Sequence, residues 1–196
     1  MPYSASMTQR VLVDANVLFQ KTTMDWLFLL RLHNQGMFQI YATEDILAEV
    51  IANMREKKPR MPGHVTRRRA ELIRKSLDEV IPDYPGNVPF SGADPKDYHV
   101  HAAAVFGQAD FLLTHNDSRD FTDNPDGESY SVIAPDEFFL LIANSAPNCM
   151  MPIVRKQMEY WMDRPGYRQL DDALMRSGCP GFAQCVREVL QQIALL

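Results

Sequence analysis

Apolar positions in this chain fall into short runs of two kinds, and the alternation between them predicts the element order. Arg10-Val-Leu-Val-Asp14 is a brief β-branched run between polar residues, the pattern of a strand buried on both faces. Trp26, Leu29, Leu30 and His33 recur at helical spacing, so a helix capped by Thr22 or Thr23 is expected to reach about Asn34, where Gly36 stops it. Phe38 to Tyr41 reads as a second strand. Thr43 then caps a helix with Glu44 and Asp45 in its first turn and Ile46, Leu47, Val50, Ile51 and Met54 on its apolar face. Glu49 lies near the edge of that face.

Lys57 to Gly63 reads as an exposed turn, followed by a helix from about Val65 to Glu79. Pro82, Pro85, Gly86 and Pro89 make the next stretch irregular, or at most short strands. Asp94-Pro95-Lys96-Asp97 is a strong helix start: Asp94 can cap, Pro95 can occupy the first helical position, and Asp97 can answer the cap. That helix runs to Gly107. A strand at Asp110 to Thr114 follows, then a polar loop to Glu128, a short strand at Tyr130 to Ile133 and a helix from Pro135 through Ala143.

Alternating strands and helices predict an α/β fold with a mostly parallel sheet. The segment Ser145 to Pro152 interrupts the alternation. After it come three helical stretches, Ile153 to Met162, Tyr167 to Arg176 and Gly181 to Leu195. The expected organisation is therefore a domain over residues 1–145 and an all-helical C-terminal extension over 152–196. In the first tail helix, Met158, Trp161 and Met162 share a spacing that suits packing against the main domain. No internal repeat or low-complexity tract is present.

Composition narrows the class. At 196 residues with 46% hydrophobic content, the chain can bury a sizeable core without staples. Its three cysteines, Cys149, Cys179 and Cys185, are odd in number and form no CxxC pair, which argues against a disulfide framework or zinc site. A reducing cytoplasm is the expected location. No basic stretch precedes an apolar run near the N-terminus, and no apolar run is long enough for a bilayer, so no membrane partner is expected. The net charge of −5 is not that of a typical RNA-binding module. The distribution matters more. Nine of the twenty Lys and Arg residues lie between Arg55 and Lys75, where the acids are Glu56 and Glu71. A basic edge beside an acidic centre is the better picture.

The acidic centre carries the chemistry. Asp14 ends the first strand, and ligands of open α/β sheets gather at the carboxyl ends of strands. Glu49 sits on a helix, Asp97 in the first turn of another, and Asp117 and Asp120 follow the strand ending at Thr114. Carboxylates brought together repel unless a cation sits among them, and hard oxygen donors select Mg²⁺ or Mn²⁺ rather than zinc.

These segments resemble the motifs of PIN-domain nucleases. Val11-Leu-Val-Asp14-Ala-Asn16-Val-Leu resembles the opening motif, and Glu49 in Ile46-Leu-Ala-Glu49-Val matches the helical glutamate. Asp94-Pro-Lys-Asp97-Tyr-His-Val-His-Ala-Ala-Ala resembles the aspartate-led helix. Ala109-Asp-Phe-Leu-Leu-Thr114-His-Asn116, with Asp120-Phe121, resembles the strand and loop bearing the last acid. The likeness covers roughly residues 10 to 143, in family order.

It implies a Rossmann-like, about five-stranded sheet, dependence on Mg²⁺ or Mn²⁺, RNA as substrate and often a homodimer. The motifs are similar to those of VapC-type toxins, each silenced by a cognate antitoxin protein. Asp14 and Asp97 would hold the metal, Glu49 would ligate it or orient water, and Asp120 or Asp117 would complete the site. Asn116 and Asp120 are four apart where the family spaces them by three, so both acids stay open; Asp120-Phe121 keeps the family dipeptide. Asn16, Thr114 and Asn116 stand beside the acids. The implied reaction is in-line attack of water on phosphorus, leaving a 5′-phosphate and a 3′-hydroxyl.

The remaining polar groups take lesser roles. His99 and His101 stand two apart on a helix and share no face, so they do not capture zinc as a pair. His101, one turn beyond Asp97, is a candidate to reach a phosphate or a site carboxylate. Arg67, Arg68, Arg69, Lys57 and Lys58 are the candidate RNA contacts, giving salt-dependent binding without sequence choice. A catalytically inactive RNA-binding or regulatory module is the alternative. An aspartate-nucleophile phosphatase would want an acid two residues after Asp14, where Asn16 stands, and no phosphate-binding glycine loop or dinucleotide fingerprint is present.

Overall fold

The computed structural model describes residues 8–162 and 169–195. Its centre is β1 (Gln9–Val13), where Val11, Leu12 and Val13 are each at most 1% exposed, the near-continuous burial of an inner parallel strand. A short helix, α1 (Ala15–Phe19), leaves directly from its end, because the Asp14 carbonyl accepts from the Val17 and Leu18 amides while both side chains bury. Then come α2 (Lys21–His33) and β2 (Phe38–Thr43). The expected Thr22 or Thr23 cap does not form: α2 begins after Gln20 without a side-chain cap, and the Thr23 hydroxyl donates back to the Gln20 carbonyl.

α3 (Glu44–Lys57) starts as read, with Thr43 Oγ1 accepting from the Ile46 amide at 3.2 Å. α4 (Gly63–Ser76) ends earlier than expected, and Glu79 belongs to a strand, β3 (Glu79–Ile81). The cause is Asp78. Its amide donates to the Ile40 carbonyl at 2.9 Å, and its carboxylate accepts from the Ile40 amide at 2.8 Å, clamping the chain onto β2. A 3-10 turn (Pro95–Asp97) opens α5 (Tyr98–Phe106), followed by β4 (Phe111–Leu113) and β5 (Ser131–Ile133). All pairings are parallel, in the order β3-β2-β1-β4-β5.

Beyond the sheet the described chain is helical: α6 (Pro135–Ser145), α7 (Met150–Met162), α8 (Leu170–Arg176) and α9 (Pro180–Ala194). The expected start of the second tail helix at Tyr167 lies outside the described residues. On α7 the buried stripe is Met150, Ile153, Val154 and Gln157, whereas Met162 is 67% exposed and does not pack as expected. Cys149, Cys179 and Cys185 are free thiols. Among the described residues no single helix is long and apolar enough to cross a membrane.

Contacts divide the chain into two compact units. One joins the stretch through Phe19 to Gly36–Ile133 and holds the whole sheet; the other joins Gln20–Gln35 to Ala134–Leu196. These limits differ from the expected segments 1–145 and 152–196, because α2 and α6 group with the later helices. Within the helical unit, Phe182 of α9 packs edge-on against Trp26 and Phe139, both at 5.2 Å between ring centroids. The Asp136 carboxylate accepts from the Gly181 and Phe182 amides at 3.0 and 2.7 Å, capping α9. Arg187 donates to the largely buried Asp171 at 2.8 Å.

Candidate active site

Strand order places the site. From β1 the chain crosses to β2 on one side and later returns to pair β4 on the other. The crevice outside the carboxyl ends of β1 and β4 is therefore the switch point where doubly wound sheets take ligands. Val13 and Leu113 are register partners, so the next residues, Asp14 and Thr114, meet at its floor.

Asp14 is 3% exposed. Its Oδ1 accepts from the Ala15 amide at 2.6 Å, and its Oδ2 accepts from the Thr114 hydroxyl at 2.6 Å and the Asn16 amide at 2.8 Å. Burial pushes its carboxyl up to about 6; the Thr114 and Ala15 hydrogen bonds oppose the shift, and the charges of Glu49 and Asp97 add to it. Asp97 is also raised, first by burial, with the Asn116 hydrogen bond opposing and the carboxylates of Asp94, Asp120 and Glu49 adding. Acids from the end of β1, α3, the turn before α5 and the loop after β4 thus share one electrostatic field.

Two asparagines connect the aspartates. Asn16 Nδ2 donates to Asp14 and, at 3.1 Å, to Asn116 Oδ1; Asn116 Nδ2 donates to Asp97 Oδ2 at 2.9 Å. Asn16 Nδ2 also reaches Thr114 Oγ1 at 3.0 Å, which accepts from the Asn116 amide at the same distance. Every donor in this ladder comes from the motif segments at 14–16 and 114–116. Asp97 does not complete a capping box. Asp94 caps the turn by accepting from the Lys96 amide at 3.0 Å, while its own N–H goes to the Asp120 carbonyl, leaving the Asp97 carboxylate to Asn116.

The two candidates for the last acid behave differently. Asp117 is bonded to Arg119 through Oδ1 at 3.0 Å and Oδ2 at 3.2 Å, and this pairing holds its carboxyl down at about 2. Asp120 instead adds its charge at Asp97. Its position depends on Gly92, a residue the sequence reading passed over. The Ala93 amide donates to the Arg119 carbonyl at 2.8 Å, and a Cβ on Gly92 would collide with the Asp120 carbonyl oxygen and stand 2.7 Å from the Phe121 carbonyl carbon. Only a glycine lets the two backbones approach this closely.

His101 does not take the role expected of it. His101 turns inward at 2% exposure, with Nδ1 on the Tyr130 hydroxyl at 2.7 Å and Nε2 on the Pro89 carbonyl at 3.0 Å, so both ring nitrogens are committed to holding the fold. It does not reach a site carboxylate. His99 does: its Nε2 lies 3.6 Å from Glu49 Oε2, and that carboxylate holds the imidazole above its usual range despite partial burial. The contact joins α3 to α5 across 50 positions, which no local spacing reveals.

The basic residues also divide. Arg69 Nη2 donates to the Leu18 and Phe19 carbonyls at 3.2 and 3.3 Å, satisfying the end of α1, so it is a structural residue rather than a ready phosphate contact. Arg67 and Arg68 are exposed on α4, with Arg67 3.6 Å from Glu71. Lys57 and Lys58 are exposed at the end of α3, Lys57 lying over the Phe19 ring at 5.4 Å.

A parallel, doubly wound α/β sheet with acids around its switch point is the class of fold that these elements define. The PIN-domain family model matches residues 10–118, more than half of the 196-residue chain, and the chain belongs to that family. PIN domains are usually nucleases, and they generally use divalent metal ions. No curated protein and no solved structure shows significant similarity to the chain.

The donor chemistry fits such an ion. The groups around Asp14 and Asp97 are hard carboxylate oxygens, the donor type that accepts Mg²⁺ or Mn²⁺, and neighbouring acids add to the raised pKa of both aspartates. Their spacing is open. Among the described residues no three His, Cys, Asp or Glu side chains stand within metal-holding reach of one another.

Proposed function

We propose that this protein is a Mg²⁺- or Mn²⁺-dependent endoribonuclease whose site is built from Asp14, Glu49, Asp97 and Asp120. The observation that carries the reading is the burial of Asp14 at the switch point, in the field of Glu49 and Asp97. A buried carboxylate beside other acids is costly to ionise without a counter-charge, and a site that tolerates this has a use for the charge.

Asp14 and Asp97 would hold the ion, with Glu49 and Asp120 completing the set. Asp117 is the weaker candidate, because its carboxylate is engaged by Arg119. When bound, the ion supplies charge on the scissile phosphate and a water of lowered pKa. The Asn16–Asn116 ladder keeps Asp14 and Asp97 oriented, and Glu49 would ligate the ion or orient the attacking water. Filling the site requires side-chain movement from the present spacing. Arg67, Arg68, Lys57 and Lys58 would carry RNA backbone charge without choosing sequence.

The motif likeness to VapC-type toxins extends the reading to a toxin silenced by a cognate antitoxin, acting in the cytoplasm as a homodimer. The open acid spacing favours one competing reading, a PIN-fold module that binds RNA without cutting it. Incubating the protein with an RNA panel, with Mg²⁺, Mn²⁺ or a chelator, separates the two. Metal-dependent cuts leaving 5′-phosphate and 3′-hydroxyl ends, lost in Asp14→Asn and Asp97→Asn, support the nuclease; binding without cleavage in every metal refutes it.

A further inference from the structure

We propose that the helical unit carries a pocket for one unpaired pyrimidine base; the choice of ligand rests on the RNA-cleaving reading above. A cavity of about 90 Å³ opens between α2, α7 and α8, with Lys21, Asp25, Trp26, Gln157, Trp161 and Leu170 in its lining. Every lining residue belongs to that unit, and both tryptophans of the chain are among them. Enclosed cavities of about 150 Å³ hold a benzene ring, so a smaller one with an open side takes the edge of a single ring rather than a fused pair.

Gln157 turns a hydrogen-bond donor into this cavity. It is 7% exposed, and its Oε1 accepts from Trp161 Nε1 at 3.2 Å. An indole N–H only donates, so the amide oxygen faces it and the amide nitrogen points away. Among the described residues that nitrogen has no acceptor, yet no fully enclosed side-chain nitrogen or oxygen lacks a partner, so it is reached from the cavity. A donor placed in this way calls for a carbonyl. Lys21 pairs with Asp25, its Nζ 5.3 Å from the centre of the Trp161 ring, so the charges at the cavity balance and favour a neutral ligand over a free ion. A neutral ring with a carbonyl on its edge gives the indole a face and Gln157 an acceptor. Uracil and cytosine are such rings, and unpaired RNA bases are recognised by this pairing of aromatic stacking with hydrogen bonds to the base edge.

Because both tryptophans line the cavity, their fluorescence reports its filling apart from turnover. In EDTA, which stops a metal-dependent cut, uridine and single-stranded oligouridine should each quench the full-length protein saturably, and a fully paired RNA duplex should not. Trp161→Ala, read on Trp26, should weaken the binding of both by about 10-fold, as loss of a stacking platform does. Trp161→Phe should recover most of that loss. Gln157→Met, close in size, removes the donor and should also weaken uridine binding by about 10-fold, with the circular dichroism unchanged.

Metal-dependent RNA cleavage by a protein whose fluorescence neither uridine nor oligouridine quenches overturns the base pocket and leaves the nuclease intact. Wild-type uridine affinity in both Trp161→Ala and Gln157→Met overturns it too, as does saturable quenching by N-acetyltyrosinamide, the ring of a peptide side chain, where uridine has no effect. Quenching by uridine without cleavage in any metal overturns the nuclease and supports the pocket.

Discussion

Burial of Asp14 costs stability at neutral pH. Its folded pKa of about 6 lies above the ordinary value of 3.8, so the metal-free folded state binds more protons than the unfolded chain between those values. The stability tied to its protonated form is fully present below pH 3.8 and is lost as pH rises through about 6. At neutral pH the deficit is up to about 3 kcal/mol. Asp14→Asn should therefore abolish cleavage yet make the metal-free protein more stable than wild type, by a margin that widens from pH 4 to pH 6.5 in urea denaturation. A margin that stays flat across that range would mean the buried charge is already compensated. Asp14 was legible in the sequence because a β-branched run ends on it. Asp97 was ambiguous, since the same Asp-Pro-Lys-Asp could have been a capping box; only Asn116, nineteen positions away, decides the matter. His101 was misread and His99 passed over, because which of two helix positions faces the core depends on Tyr130 and Pro89, not on spacing.

The elements that position the acids are joined at points where patterning is silent. β3 was absorbed into the preceding helix because the clamp that creates it is a single aspartate reaching Ile40. Gly92 lies in a stretch read as irregular, yet it admits the Asp120 backbone to the segment that leads to Asp97. Gly92→Ala should push that loop away and lower kcat by about 10-fold or more, as small misplacements near a reacting centre do. Circular dichroism should remain that of the folded protein; full activity would mean that Asp120 is dispensable. On α4, Arg67 and Arg68 should separate from Arg69. Replacing the first two with Gln should flatten the dependence of RNA affinity on salt, by about one unit of log–log slope per lost phosphate contact. Replacing Arg69 should instead lower the melting temperature, since the α1 carbonyls lose their donor. An unchanged salt slope in the Arg67, Arg68 double variant would remove the basic helix from the RNA path.

Across the whole molecule, the class of fold was readable from alternation alone, and strand order then put the ends of β1 and β4 where a ligand belongs. The division of the chain was not readable, because α2 lies between two strands in sequence yet groups with the later helices. That helical unit has its own polar fastening, the Asp136 carboxylate on the first amides of α9. Asp136→Ala should cost about 1–2 kcal/mol of stability, read by thermal unfolding, while the metal affinity of the sheet unit stays at the wild-type value. The central claim is that acids from four separate segments act as one divalent-cation site. Anomalous X-ray scattering from a crystal soaked in Mn²⁺ measures this most directly. The expected result is a peak bounded by Asp14 and Asp97, at oxygen-ligand distances of about 2.0–2.6 Å, that disappears in Asp14→Asn. A peak held elsewhere, or a crevice without manganese at saturating concentration, would contradict it.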